Sequence, residues 1–262
     1  MISTGTPGPT IVTAKSHPIY LGVTNVSGDA GCGSFSGACW GNPNLFLTDF
    51  GLSTFSHLLD QYVGSSANNR YTLGSIFAAS TTVFPGMSGF PTISENDILA
   101  FVHAAAKVSG SGLGHIYHFF IPKGVDTCID EGPCYSPDNP ATFAFCAYHF
   151  SVVFSDIGPV FYSVEPFQNV PGCQVPSSNP TPPNGQLADS TNNFLSHELS
   201  ETISDPVPGT GFVSFLSSPT LFNEIADLCE SPVLKFTESL NGHLFEIQAD
   251  YSDTYEACAT SP

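Results

Sequence analysis

The residues best suited to chemistry fall in one run, Ser196-His197-Glu198-Leu199-Ser200-Glu201-Thr202-Ile203-Ser204-Asp205-Pro206. On a helix at about 100° per residue, with His197 at zero, Glu201 falls at about 40°, Asp205 at about 80° and Glu198 at about 100°. Leu195, Leu199 and Ile203 fall on the opposite face, at roughly 160° to 240°. One face packs, and the other gathers an imidazole and three carboxylates. Like charges one turn apart destabilise a helix, and a bound metal ion resolves that repulsion. The spacing is that of HExxH zinc helices with Glu201 in place of the second histidine. His197 and Glu201 are therefore the candidate ligands, and Glu198 is the candidate general base for a water that the metal activates. Asp205, at the helix end, is the first choice of third ligand. Glu224 or Asp227, from Asn223-Glu224-Ile225-Ala226-Asp227-Leu228-Cys229, are the other choices. Zinc is the first expectation. Two carboxylate ligands donate more charge than two imidazoles, which keeps Ca²⁺ and Mn²⁺ as alternatives.

Several elements must position this helix. Residues 1–15 read as an extended arm and 16–262 as one domain. Pro18 to Val26 reads as a strand, and Asn44 to Val63 has apolar residues at helical spacing. Ser94-Glu-Asn-Asp97 resembles a capping box and opens a helix over Ile98 to Val108. His115 to Ile121, Ala144 to Phe154 and Val160 to Phe167 are rich in aromatic and β-branched residues and read as strands. The active helix runs from about Asp189 to Ser204 and is stopped by Pro206 and Pro208. Asn241-Gly242 is a type I′ turn signal joining Lys235–Leu240 to His243–Tyr251. The fold class is α+β, a single domain with a mixed sheet and an active-site helix.

Other histidines are weaker candidates. His115 and His118 lie three apart on a strand, face opposite sides and cannot chelate together. His149, beside Tyr148, is an outside ligand or an oxyanion stabiliser if it acts at all; the alternative is an ordinary packed strand histidine. No G-x-S-x-G nucleophile elbow and no phosphate-binding loop is present. Asp130 and Glu131, in the loop from Gly124 to Pro140, read as solvated acids of a disulfide loop rather than a Ca²⁺ site.

Composition narrows the class further. The chain has 262 residues and 5 Lys plus Arg against 23 Asp plus Glu, a formal net charge of -18. So few scattered cations exclude phosphate-backbone recognition, hence nucleic acid, and attraction to anionic lipid. No apolar run is long enough for a membrane span. The eight cysteines are even in number and form no CxxC pair, which points to disulfides and an oxidising, extracellular compartment. Nearest-neighbour pairing gives Cys32–Cys39, Cys128–Cys134, Cys146–Cys173 and Cys229–Cys258. The excess of carboxylates suits an acidic habitat or simply a soluble surface. Twenty-two Phe and nine Tyr fit a self-associating surface as well as a core. Trp40 is the only tryptophan, which disfavours a tryptophan-built sugar platform.

The runs SHELSETISDP and NEIADLC resemble a family of secreted bacterial and fungal proteins with the pattern SHEL-x-E-x-x-TDP followed by GEIGD-x-C. That family is loosely similar to the plant exordium/phosphate-induced proteins. HIYHFFIPKGVD, FCAYHFSVVF, VPGC and FEIQADYSDTYEAC extend the resemblance from about Pro18 to Cys258. Ser204 stands where the pattern has Thr, an aromatic WYD segment is missing before Glu224, and a terminal WSN reads Tyr251-Ser252-Asp253. The resemblance implies a secreted, metallopeptidase-like, zincin-like protein acting on peptides or proteins. The competing expectation is a non-catalytic secreted or cell-surface module whose acidic helix holds a structural cation.

Overall fold

Strand β1 (Ala14–Leu21) opens the chain's regular structure. In the computed structural model, residues 8–22, 40–79, 84–85, 91–129, 134–135, 141, 145–178, 181–214, 224–230 and 235–262 are described. After β1 come α1 (Pro43–Phe50), a 3-10 turn (Phe55–Leu59), the short α2 (Asp60–Val63), β2 (Tyr71–Leu73) and β3 (Phe77–Ala79). Next are β4 (Phe84–Pro85), β5 (Pro91–Ile93), α3 (Glu95–Ser109), β6 (His115–Phe120), β7 (Asp126–Cys128) and β8 (Cys134–Tyr135). The chain continues through β9 (Tyr148–Phe154), β10 (Gly158–Glu165) and α4 (Gln186–Ser204). It closes with β11 (Lys235–Leu240), β12 (His243–Gln248), β13 (Asp250–Ser252) and β14 (Ala257–Ala259). The fold is α+β.

The main sheet has the order β2-β1-β6-β10-β9, with β3 also on β1. β1, β6 and β10 run parallel, and β9 pairs antiparallel to β10 at the edge. Helix α3 covers one face of this sheet. Its Ile98, Val102, Ala105 and Ala106 pack with Tyr117, Phe119, Tyr162 and Val164. The Ser94 side chain accepts the Asp97 N–H and the Asp97 carboxylate accepts the Ser94 N–H, the reciprocal cap expected of that start. Helix α4 lies on the other face, where Leu195, Leu199 and Ile203 join Tyr20, Ile116, Phe120 and Phe161. The two faces alternate along each strand, so β6 sends Ile116 and Phe120 to α4 and Tyr117 and Phe119 to α3.

Three expectations change. Asn44 to Val63 is not one helix, because α1 ends at Phe50 and the chain turns through Ser53. A Cβ on Gly51 would lie 1.6 Å from the Tyr71 carbonyl oxygen, so β2 crosses where the helix would have continued. The first strand begins at Ala14 and not Pro18, and just before it the buried Ile11 donates its N–H to the Ile203 carbonyl at 2.8 Å. The third expected strand segment starts at Tyr148, not Ala144. The Asn241-Gly242 turn has positive φ at both positions, 51° and 92°, as a type I′ turn requires.

Cys128–Cys134, Cys146–Cys173 and Cys229–Cys258 are disulfide-bonded. Cys32 and Cys39 lie outside the described residues, as do Asp130 and Glu131. Among the described residues no helix is long and apolar enough to cross a membrane.

Candidate metal centre

Helix α4 is unusual in what it buries. Every residue from Asp189 to Ser204 is shielded, although the sequence there is mostly polar. Some of its polar side chains find partners on neighbouring segments and within the helix, whereas both polar atoms of the Asn193 side chain are buried without one. The β12 strand lies along α4, and its Glu246 and Gln248 N–H groups donate to Asp189 Oδ1 and Ser196 Oγ at 3.1 and 3.2 Å. Ser190, Thr202 and Ser204 hydroxyls donate to carbonyls one turn back. This lining lets a polar helix occupy the middle of the domain and carry His197, Glu198 and Glu201 inside it.

Three other segments close on that helix. β9 contributes His149, whose Nδ1 lies 3.4 Å from Glu198 Oε2 and 3.6 Å from Glu201 Oε2. Its Nε2–H donates to the Asp205 carbonyl at 3.1 Å, and Nε2 also lies 3.4 Å from Glu224 Oε1. His197 Nε2 lies 3.1 Å from Glu201 Oε2 and 3.5 Å from Asp227 Oδ1. The Asp227 N–H donates to Glu201 Oε1 at 3.1 Å and fixes the rotation of that carboxylate. A cavity of about 310 Å³ opens onto the cluster, lined by His197, Glu198, Asp227, Phe145, Ala147 and Phe194 among others. The Cys146–Cys173 disulfide anchors the Phe145–Ala147 wall.

The donor chemistry and spacing fit a cation. Two sets of groups could hold a metal ion: His197, Glu201 and Asp227, and His149, Glu198 and Glu201. Tetrahedral zinc with bonds of about 2.0–2.1 Å separates its ligand atoms by about 3.3–3.4 Å, close to the distances above. His197 Nδ1 and Glu224 Oε1 are buried without a hydrogen-bond partner.

Asp205 is a correction. The structure does not turn its carboxylate into the cluster. Its oxygens accept the N–H groups of Gly209, Thr210 and Gly211 at 2.6, 3.2 and 2.6 Å. The helix ends at Ser204, and the chain folds back over the Asp205 side chain, which organises that turn. Asp205→Ala should therefore cost about 2–4 kcal/mol in urea unfolding, since three charge-assisted bonds to backbone N–H groups are lost. Asp205→Asn should retain the full metal content, and loss of metal in that variant would return Asp205 to the ligand set.

Two acids absent from the sequence-derived candidates belong to the surroundings. Glu165, at the end of β10, is buried and takes the Ser163 hydroxyl at 2.8 Å, while Ser163 Oγ accepts His118 Nδ1–H at 2.8 Å. Asp250 is buried at the start of β13, beside the Ser200 side chain. His115 is elsewhere, bonded to His17 at 3.0 Å, on the face opposite His118. His243 bonds Asp49 at 2.7 Å.

No family model, curated protein or solved structure matches this chain.

The electrostatics of the cluster follow from burial against opposite charge. Burial disfavours the His149 imidazolium, but Glu224, Glu198 and Glu201 outweigh it and hold it up to about 10. His197 is held well above the ordinary imidazole range in the same way, mainly by Glu201. Glu201 is drawn below the usual carboxylate range, because the two imidazoles and the Asp227 N–H overcome its burial. Burial pushes Glu224 well up, and burial with the Glu201 charge lifts Asp227 to about 7. Burial and Glu198 raise Glu165 to about 8, and burial raises Asp250 to about 7. Protons and a cation are thus alternative ways of balancing one buried, carboxylate-rich site.

Proposed function

We propose that this chain is a secreted, zinc-dependent hydrolase of peptide bonds. The observation that carries the reading is the set His197 Nε2, Glu201 Oε2 and Asp227 Oδ1, with 3.1 and 3.5 Å separations, of which His197 and Asp227 line a cavity that Glu198 also lines. The metal, when bound, supplies a Lewis acid that polarises a carbonyl and acidifies water. Glu198 accepts the proton of the attacking water and passes it to the leaving amine. His149, against Glu198, holds that carboxylate in place.

A peptide substrate is favoured by the sheet. Among the described residues β9 pairs only with β10, so its outer edge offers backbone N–H and C=O groups beside His149. An extended chain binds such an edge by main-chain hydrogen bonds. The three disulfides are consistent with an oxidising, extracellular setting.

The competing reading is a binding module with a structural cation, favoured by the deep burial of His149, Glu198 and Glu201. A structural site is closed, whereas a catalytic one keeps an open position. Elemental mass spectrometry on undialysed protein, beside His197→Ala, separates them. At least one zinc per chain, diminished in the variant, is the expected result and leads to peptide-library assays at acidic and neutral pH. Calcium or no metal in the wild type sinks the zinc-peptidase reading.

A further inference from the structure

The cluster offers more ligands than one ion can use. The geometry points to a centre for two divalent cations bridged by Glu201. One is held by His197 Nε2, Glu201 Oε2 and Asp227 Oδ1, and the other by His149 Nδ1, Glu198 Oε2 and Glu201 Oε2. This inference rests on the reading of the site as a metal centre and adds a second position to it.

The donors do not form one set. They form two, each with its atoms within 4.8 Å of one another, and Glu201 is the residue common to both. A single tetrahedral ion would draw all its donors to about 3.4 Å of one another. Glu201 is oriented for bridging. Its Oε1 is fixed by the Asp227 N–H, which leaves Oε2 at 3.1 Å from His197 Nε2 and 3.6 Å from His149 Nδ1. One oxygen thus faces both imidazoles from between them.

His149 is held in the manner of a ligand. Its Nε2–H donates to the Asp205 carbonyl at 3.1 Å, which leaves Nδ1 as the nitrogen directed at Glu198 and Glu201. An outer hydrogen bond that fixes the ring and tautomer is the usual support of a metal-bound histidine. Independently, Glu224 is 7% exposed, and its Oε1 lies beside His149 with no hydrogen-bond partner. It is a spare acceptor on the Nε2 side of the His149 ring, beside the cluster.

Charge favours the same answer. Glu198, Glu201, Glu224 and Asp227 bring four carboxylates around two imidazoles. One dication leaves two of the four charges to be balanced by protons. Two dications balance all four. Ions sharing a carboxylate oxygen lie about 3.5–4 Å apart, the spacing with which two-ion hydrolases hold both the attacking and the leaving atoms. Glu198 then gives one oxygen to the second ion and keeps the other for proton transfer.

The test uses the full chain and Mn²⁺ alone. Metal-stripped protein is titrated with Mn²⁺, the bound ions are counted by elemental analysis, and the saturated sample is examined by electron paramagnetic resonance. Two Mn²⁺ per chain with an exchange-coupled spectrum are expected. Asp227→Asn and His149→Ala should each drop the count to one and remove the coupling. One Mn²⁺ per chain at saturation, or two without coupling, overturns the bridged pair. The wild-type spectrum decides even where a variant fails to fold. The two readings fail separately: a coupled pair in a protein that cleaves no peptide sinks the hydrolase, and one uncoupled ion in an active peptidase sinks the pair.

Discussion

Glu198→Gln should lower peptide turnover by about 10²–10⁴-fold, the usual contribution of a positioned general base. The substitution preserves shape and removes only the basic carboxylate. Glu198 is buried on α4 next to His197, lines the cavity, and lies 3.4 Å from His149. The amide can keep a contact to His149, so the helix should hold its place. Removing one charge beside Glu165, which feels Glu198 as a like charge, should leave the melting temperature equal or higher. The ion held by His197, Glu201 and Asp227 should remain, since Glu198 is outside that set. The measurement is kcat on a fluorogenic peptide beside metal content and a melting curve. Full activity in Glu198→Gln refutes the base assignment, and lost activity with loss of all metal makes Glu198 a structural support instead.

The metal-stripped protein should be most stable in mildly acidic solution and lose stability steeply above about pH 6.5. Asp250 and Glu165 have folded values of about 7 and about 8, above their unfolded ones. The folded chain therefore binds more protons than the unfolded chain between about pH 4 and 8, and stability falls as pH rises through that window. His149, held up to about 10, adds stability that is present below about 6.5 and lost as pH rises toward 10. On the acid side the sign reverses. His118 and His17 are lowered to about 3 and about 4, chiefly by burial. Their contribution is complete above about pH 6.5 and fades as pH falls through their folded values. A tenfold difference in proton affinity between the folded and unfolded chain is worth about 1.4 kcal/mol, so several groups acting together give a large slope. A divalent ion displaces the protons of the cluster and should move the stability optimum toward neutral pH. Melting temperatures over about pH 4–9, with chelator and with Zn²⁺, check this. A chelated sample whose melting temperature stays level or rises between about pH 6.5 and 8.5 contradicts it.

The sequence made α4 readable because two periodicities agree there. Leu195, Leu199 and Ile203 mark the packed face, and His197, Glu198 and Glu201 share the other. The Asn241-Gly242 turn was readable for a local reason, since both positions require positive φ. What escaped was set by tertiary geometry. Asp205 lies on the right face by arithmetic, but the helix ends beside it and its carboxylate turns to Gly209 and Gly211. His149 gave only an ambiguous signal, because the pairing of β9 with β10 is what carries it over α4. Glu165 and Asp250 carried a fainter mark. Glu165 is a lone acid closing VFYSVE, and Asp250 follows the alternating FEIQA and opens β13. A charge on the inward phase of such a strand signals a buried polar site. The break after α1 was not readable, because it depends on β2 crossing at Gly51.

The β12 strand that lies along α4 also sets a schedule for synthesis. The N–H groups of Glu246 and Gln248 that satisfy Asp189 and Ser196 come from residues made more than forty positions after the helix begins. A ribosome that has produced His197, Glu198 and Glu201 has not yet produced the strand that lies along their helix. Until the hairpin arrives, Leu195, Leu199 and Ile203 can pack on the sheet, but Asp189 and Ser196 have water in place of the Glu246 and Gln248 N–H groups. The partners of these two side chains are therefore among the last parts of the helix's surroundings to be made. A nascent chain cut short within the hairpin would carry His149, His197, Glu198, Glu201 and Asp227 but lack the strand that lies along α4.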